Sequence, residues 1–122
     1  MAEAQRKSSP PPRLSGARFL VVEARYYEDI GAMQFAGVRA AFEAAGAAFD
    51  LVSAPGALEI PAAAAIALDA AEEKNRPYEG LVALGCVVRG ETYHFEIVAG
   101  ESARALMDMS VARKLPLGNG IL

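Results

Sequence analysis

The 122-residue sequence has no tryptophan, one cysteine and one histidine, and these scarcities remove several classes of function at once. A lone cysteine, Cys86, permits neither a disulfide framework nor a cysteine-cluster metal site, and it suits a reducing compartment. Basic charge is also short, with 12 Lys and Arg against 15 Asp and Glu and a formal net charge of −3. A nucleic-acid binder normally presents a basic face, so no nucleic-acid partner is expected. No apolar run approaches the roughly 18 residues of a membrane span. The charged N-terminus lacks the apolar stretch of a secretory signal. The expectation is a cytoplasmic protein with no membrane partner.

What is present is apolar. Hydrophobic residues make up 53% of the chain and charged residues 22%, a balance that supports a buried core and excludes a disordered or coiled-coil protein. The length suits one domain. There are 26 alanines, mostly in two clusters, which points to helices packed closely against something. Residues 1–16, MAEAQRKSSPPPRLSG, hold three successive prolines and almost no apolar side chains. They cannot offset the entropy of ordering and read as a disordered, solubilising tail, the alternative being an arm for a cargo or partner. The folded domain is expected over 17–122.

Within it, short apolar runs alternate with helical periodicity. Phe19 to Ala24 and the more apolar Gly80 to Val88 have the continuous character of strands buried on both faces. Phe49 to Val52 and Leu115 to Leu122 read as two further strands, the last of them buried. Between them, Ile30 to Ala48 has apolar residues at a helical period with Gly46 as a stop. Glu59 to Lys74 is alanine-rich and helical, with Pro61 tolerable in its first turn. Tyr93 to Arg113 is a long helix whose stripe is Phe95, Val98, Ala99, Ala103, Leu106 and Met109. Strand–helix alternation without hairpin signals implies parallel strands and a layered α/β sheet. Ligands in such sheets sit beyond the carboxyl ends of the strands, here Arg25–Tyr27, Ser53–Glu59, Cys86–Thr92 and Asn119–Leu122.

Those ends hold the candidate chemistry. His94 opens the helix after the central strand, and histidine alone has an ordinary pKa that lets it take and give a proton near neutrality. Its plain alternative is a polar residue at a helix start. Arg89-Gly90-Glu91-Thr92 precedes that helix, where free amides make an anion site, although Thr92 also suits an ordinary N-cap. No Walker motif and no GxGxxG follow the first strand, so nucleoside-triphosphate and dinucleotide readings lack support. Tyr26 and Tyr27 are placed either to stack on a planar heterocycle or simply to face solvent. Glu59 is either a hydrogen-bond acceptor at the sheet's mouth or a carboxylate complementing a helix dipole. Cys86, inside an apolar strand, reads as a small buried hydrophobe rather than a nucleophile.

Three segments in this order and spacing, SAPGALEIP at 53–61, LGCVVRGETYHFEIV at 84–98 and LPLGNGIL at 115–122, closely resemble the 6,7-dimethyl-8-ribityllumazine synthase family. The resemblance runs from about Arg18 to Leu122. It implies a three-layer α/β sandwich, a four-stranded parallel sheet with helices on both faces in flavodoxin-like strand order. It also implies condensation of 5-amino-6-(D-ribitylamino)uracil with 3,4-dihydroxy-2-butanone 4-phosphate, the penultimate step of riboflavin synthesis, with no cofactor and no metal. Carried over by position, His94 matches the proton-transfer histidine, and Gly90, Glu91 and Thr92 fall in the phosphate-contacting loop. Ala57, Leu58, Glu59, Cys86, Val87 and Val88 match the pyrimidine and ribityl site. Tyr26 stands where the family often has a phenylalanine or tryptophan stacking on the pyrimidine. Asn119 stands where many members place an aromatic that reaches a neighbouring subunit's site. The resemblance further implies a homo-oligomer, a pentamer or multiples of it. The family continues past this strand with helices carrying an arginine and a lysine that help hold the phosphate. Neither has a counterpart before Leu122, so a form truncated at its C-terminus is expected. Two rival readings remain, a non-catalytic flavin- or lumazine-binding module and a shell-forming paralogue.

Overall fold

A computed structural model describes residues 9, 10 and 12–122. The tail expected over 1–16 lies mostly outside them. Within the described part, the Leu14 amide donates to the Ala45 carbonyl at 2.8 Å.

The two most apolar runs become the two central strands. β1 (Arg18–Glu23) and β3 (Gly80–Gly85) are buried along most of their length, because each has a strand on either side and helices above and below. β2 (Ala48–Ser53) and β4 (Leu117–Ile121) are the outer strands, and both are largely open to solvent. The order is β2-β1-β3-β4 with every pair parallel. Sequence alone suggested that the last strand would be buried. None of its residues is buried, and among the described residues it pairs with β3 alone, so it is the edge that an uncovered last strand leaves.

Three helices link the strands. α1 (Glu28–Ala45) begins two residues earlier than its periodicity suggested, with Glu28 and Asp29 in the first turn complementing the helix dipole. It stops at Gly46, whose φ of 74° is the left-handed turn that a glycine C-cap supplies without strain. A single 3-10 turn, Ala57–Glu59, leads into α2 (Ile60–Glu73), and α3 (His94–Arg113) follows β3. Side chains alternate across the sheet. Leu20, Val22, Leu81 and Ala83 face α2 and α3, where they join Ile60, Ala64, Leu68, Val98 and Leu106 in the main core. Phe19 and Phe49 face the other way and meet Phe42 of α1 in a stacked cluster, with centroids 4.9 and 5.5 Å apart. The result is a three-layer α/β sandwich with α1 alone on one face among the described residues.

The helical phase of α3 differs in one detail from the expected stripe. Ser102 is buried between Val98 and Leu106, and Ala103 is exposed. Val98, Ser102 and Leu106 are spaced by four, and the Ser102 hydroxyl turns back to the Ala99 carbonyl at 3.4 Å. A small hydroxyl that satisfies itself within its own helix is tolerated in a core position.

At the amino end of the sheet, Tyr78 donates its hydroxyl to Asp50 at 2.6 Å, and Arg18 stacks over the Tyr78 ring while pairing with Asp50 at 3.2 Å. Burial, followed by the bond to Asp50, raises the Tyr78 pKa above its ordinary 10.0. A raised phenol means that its stabilising contribution is complete below the ordinary pKa and is lost as pH climbs through the raised one. Tyr78→Phe should therefore cost about 1 kcal/mol at neutral pH. It should also flatten the alkaline fall in stability, as read by denaturant unfolding across a pH series. An unchanged alkaline limb would assign that fall to other groups.

Candidate active site

In an open parallel sheet, a crevice forms where the strand order reverses direction, and here that point lies between the carboxyl ends of β1 and β3. A cleft of about 280 Å³ occupies it. Four separate stretches of chain supply its walls. Tyr26 and Tyr27 come from the turn after β1, Gly56 to Glu59 from the 3-10 turn, Cys86 to Val88 from the segment after β3, and His94 and Val98 from α3.

Each wall has a local reason. Pro55 and Gly56 turn the chain, and Glu59, at the N-cap position of α2, makes no side-chain cap there but folds its carboxylate back over Gly56. Ala57 and Ile60 are buried beneath the cleft, while Leu58 is exposed at its rim. Cys86 is not inside the strand, as the apolar run suggested. β3 ends at Gly85, and Cys86 and Val87 are half-buried just beyond it. The Val87 amide donates to the Leu122 carbonyl at 2.8 Å, which holds this segment against the end of β4. The run stays apolar past the strand because its last three residues line a cleft instead of a core.

His94 is the first residue of α3 and is exposed, with its amide 3.4 Å from the Thr92 hydroxyl. That contact is long, and the N-cap residue proper is Tyr93, which makes no side-chain cap. Apart from this long contact, no side-chain cap is made at the start of α3 among the described residues, a condition that leaves helix-start amides open to an anion. Gly90, Glu91 and Thr92 are exposed and lie outside the cleft lining, between Val88 and His94, which are both part of it. Arg89, at the start of this loop, is engaged by its neighbours. Its guanidinium sits 4.4 Å from the Phe95 ring centroid and pairs with Glu96.

Of the residues singled out from sequence, Tyr26, Tyr27, Ala57, Leu58, Glu59, Cys86, Val87, Val88 and His94 come together in one concavity. Asn119, at the position expected to reach a neighbouring subunit's site, lies outside this chain's own cleft. It is exposed on β4, where its side-chain oxygen accepts the Ile121 amide at 3.0 Å. Two wall residues were missed, Gly56 and Val98. Val98 was within reach of sequence reasoning, since it lies one helical turn after His94 on the same face. Among the described residues, no group of three or more His, Cys, Asp and Glu is placed to hold a metal, and no helix is long and apolar enough to cross a membrane.

Comparison with known proteins gives the family. The family profile described as 6,7-dimethyl-8-ribityllumazine synthase matches residues 16–122. A protein of that name from Azorhizobium caulinodans is 67% identical over 109 residues, covering 89% of this chain and 67% of the relative. One from Methylocella silvestris is 68% identical over 108 residues, covering 88% of this chain and 66% of the relative. One from Methylorubrum extorquens is 65% identical over 109 residues, covering 89% and 63%. The chain thus spans about two thirds of the length of these relatives. Across nearly all of its folded part, cleft included, it belongs to the 6,7-dimethyl-8-ribityllumazine synthase family, transferases of riboflavin biosynthesis.

Proposed function

We propose that this chain carries out the condensation of 5-amino-6-(D-ribitylamino)uracil with 3,4-dihydroxy-2-butanone 4-phosphate to 6,7-dimethyl-8-ribityllumazine. The observation that supports this most is the convergence of an aromatic wall, a backbone-rich wall and a lone histidine on one cleft at the strand-order reversal. The pyrimidine ring stacks on Tyr26. The backbone of Ala57 to Glu59 and of Cys86 to Val88 offers amides and carbonyls to the ring and ribityl chain. The loop Gly90 to Thr92 and the amides at the start of α3 face the phosphate end.

The chemistry asks little of the side chains beyond this. Imine formation and ring closure expel phosphate and water while protons move between nitrogen and oxygen. Holding two substrates in reacting geometry is worth about 7–11 kcal/mol, so one proton carrier, His94, suffices for the rest. No step calls for a metal or a redox cofactor.

The same reading includes a cytoplasmic homo-oligomer, a pentamer or a multiple of it. Leu58, Val88, Tyr93 and Ile97 are exposed apolar residues around the cleft, a kind of patch that soluble proteins normally cover. Formation of the lumazine chromophore from the two substrates, followed by absorbance, tests the activity. Light scattering on the same sample tests the assembly. Binding of the pyrimidine without turnover would favour a non-catalytic binding protein.

The stacking role has its own test. Tyr26 is 78% exposed and has only Tyr27 as an aromatic neighbour, edge-on at 5.0 Å, so its face is free for a ligand. Tyr26→Ala should weaken pyrimidine binding several-fold, and Tyr26→Phe hardly at all, since a stacked pair contributes about 0.5–1.5 kcal/mol beyond buried area. Equal affinities for the alanine variant and wild type, measured by titration, would remove Tyr26 from the site.

A further inference from the structure

Behind the cleft, on the opposite side of the sheet, lies an ion pair that the proposed chemistry does not use. Glu23, the last residue of β1, is only 3% exposed, and one of its oxygens, Oε2, is buried without a hydrogen-bond partner. A buried carboxylate is costly unless a cation answers it. Arg25 answers it, with Nε 2.9 Å from Glu23 Oε1. The same guanidinium reaches Glu28 in the first turn of α1 at 3.2 Å and lies 5.6 Å from the ring centroid of Phe35.

The stem of Arg25 is held as closely as its head. A Cβ added to Gly31 of α1 would lie 2.6 Å from Arg25 Cγ, so the helix approaches this side chain only because residue 31 has none. One arginine therefore joins the end of β1 to the first two turns of α1. Four residues, Ala24 to Tyr27, separate those elements. Alternation along the chain sends Arg25 to the α1 face, while Ala24 enters the main core and Tyr26 enters the cleft.

We infer that Arg25, anchored by Glu23 and seated against Gly31, is a positioning residue that pre-sets the Tyr26–Tyr27 turn for a planar heterocycle. The inference rests on the proposed reading of the cleft as a pyrimidine site. Arg25 is not part of the cleft wall, so it acts through the backbone it holds. The two ends of the turn are held by the backbone, the Ala24 amide on the Leu84 carbonyl at 3.0 Å and the Gly31 amide on the Tyr27 carbonyl at 2.9 Å, but Tyr27 caps α1 without a side-chain bond and Tyr26 is open to solvent. A turn that must order itself on binding lowers affinity for the ring, whereas proton transfer at His94, on another element, is untouched.

The test uses three variants, with 6,7-dimethyl-8-ribityllumazine as a fluorescent probe in a binding titration and steady-state turnover alongside. Arg25→Met should weaken lumazine binding about 3- to 10-fold, the scale of a lost stacking geometry. It should raise KM for the pyrimidine while kcat stays within about twofold, the pattern of lost binding without lost chemistry. Arg25→Lys keeps the charge on Glu23 but not the planar span to Glu28 and Phe35, and should recover part of the loss. Gly31→Ala leaves Arg25 and Glu23 chemically intact and displaces Arg25 only by the new Cβ, 2.6 Å from Cγ. The unfolding midpoint should fall, because Glu23 is left with a poorer partner and the helix-propensity gain offsets only part of that, and binding should weaken several-fold.

Wild-type affinity in both Arg25→Met and Gly31→Ala would overturn the inference, and so would a fall in kcat with affinity unchanged. Failure of the wild-type protein to bind lumazine or form it would reject the functional reading instead. Amide hydrogen exchange over residues 24–31 of the free protein then decides the positioning role without a ligand. Exchange that is about tenfold faster in Arg25→Met, with β3 unchanged, supports it, and unchanged exchange rejects it.

Discussion

Replacing His94 by alanine is expected to slow lumazine formation by about 10²- to 10⁴-fold, the usual contribution of a positioned general acid–base group. The fold should be indifferent to the change. His94 is exposed at the first position of α3, its side chain is no part of the core, and alanine is well accepted in a first helical turn. Pyrimidine affinity should also survive, because Tyr26 and the backbone walls remain. Any residual rate would come from holding the two substrates together. Turnover with both substrates, set beside a titration with the pyrimidine alone, separates the effects. A variant turning over at the wild-type rate would mean that protons travel by another route. A variant that no longer binds the pyrimidine would make His94 a binding residue.

Ile60→Ala should have the largest effect on stability of any substitution near the cleft, about 2–5 kcal/mol. Ile60 opens α2, is fully buried, and places its Cδ1 against Gly85, where the end of β3 passes directly beneath it. Deleting its branched end removes buried apolar surface and leaves a void that close-packed neighbours fill only in part. A domain of this size has about 5–15 kcal/mol of total stability, so such a loss is a large share of it. The shift should appear as a lower denaturant midpoint with an unchanged slope. Because Ile60 also supports Ala57 and the segment after β3, the variant's substrate affinity should fall as well. A loss below about 1 kcal/mol would show that the α2–β3 contact repacks freely.

How much of this was visible beforehand depended on whether the signal was local. Phe19–Val22 and Leu81–Leu84 could be recognised as strands because burial on both faces requires apolar side chains in an unbroken run. The stop at Gly46 was visible for a similar reason, since only glycine takes that backbone turn without strain. His94 stood out as the single group of its kind after the most apolar run. The end of β3 was not visible, because Cys86, Val87 and Val88 are apolar for a different purpose, and hydrophobicity does not say whether a residue faces a core or a cleft. Ser102 was passed over on α3 because a hydroxyl reads as polar, although it lies on the same face as Val98 and Leu106 at a spacing of four.

Glu23 and Arg25 show the boundary most clearly. In sequence they interrupt and end an apolar strand and look like surface charge. Only the packing of α1 across the back of β1 makes the glutamate buried and the arginine its partner, and only Gly31, six residues away on another element, leaves room for both. Likewise the cleft exists because β3 pairs with β1 on the side away from β2, a long-range choice that no local pattern encodes. Residue type and spacing determined by themselves which segments are strands and helices, and which groups are candidates for chemistry, because both follow from backbone sterics, side-chain polarity and intrinsic pKa. The tertiary structure decided which strand ends face each other, that Asn119 lies on the outer strand β4, and that Arg25 pairs with Glu23 behind the cleft. Those outcomes depend on distances between residues far apart in the chain, which are set only when the sheet and its helices pack together.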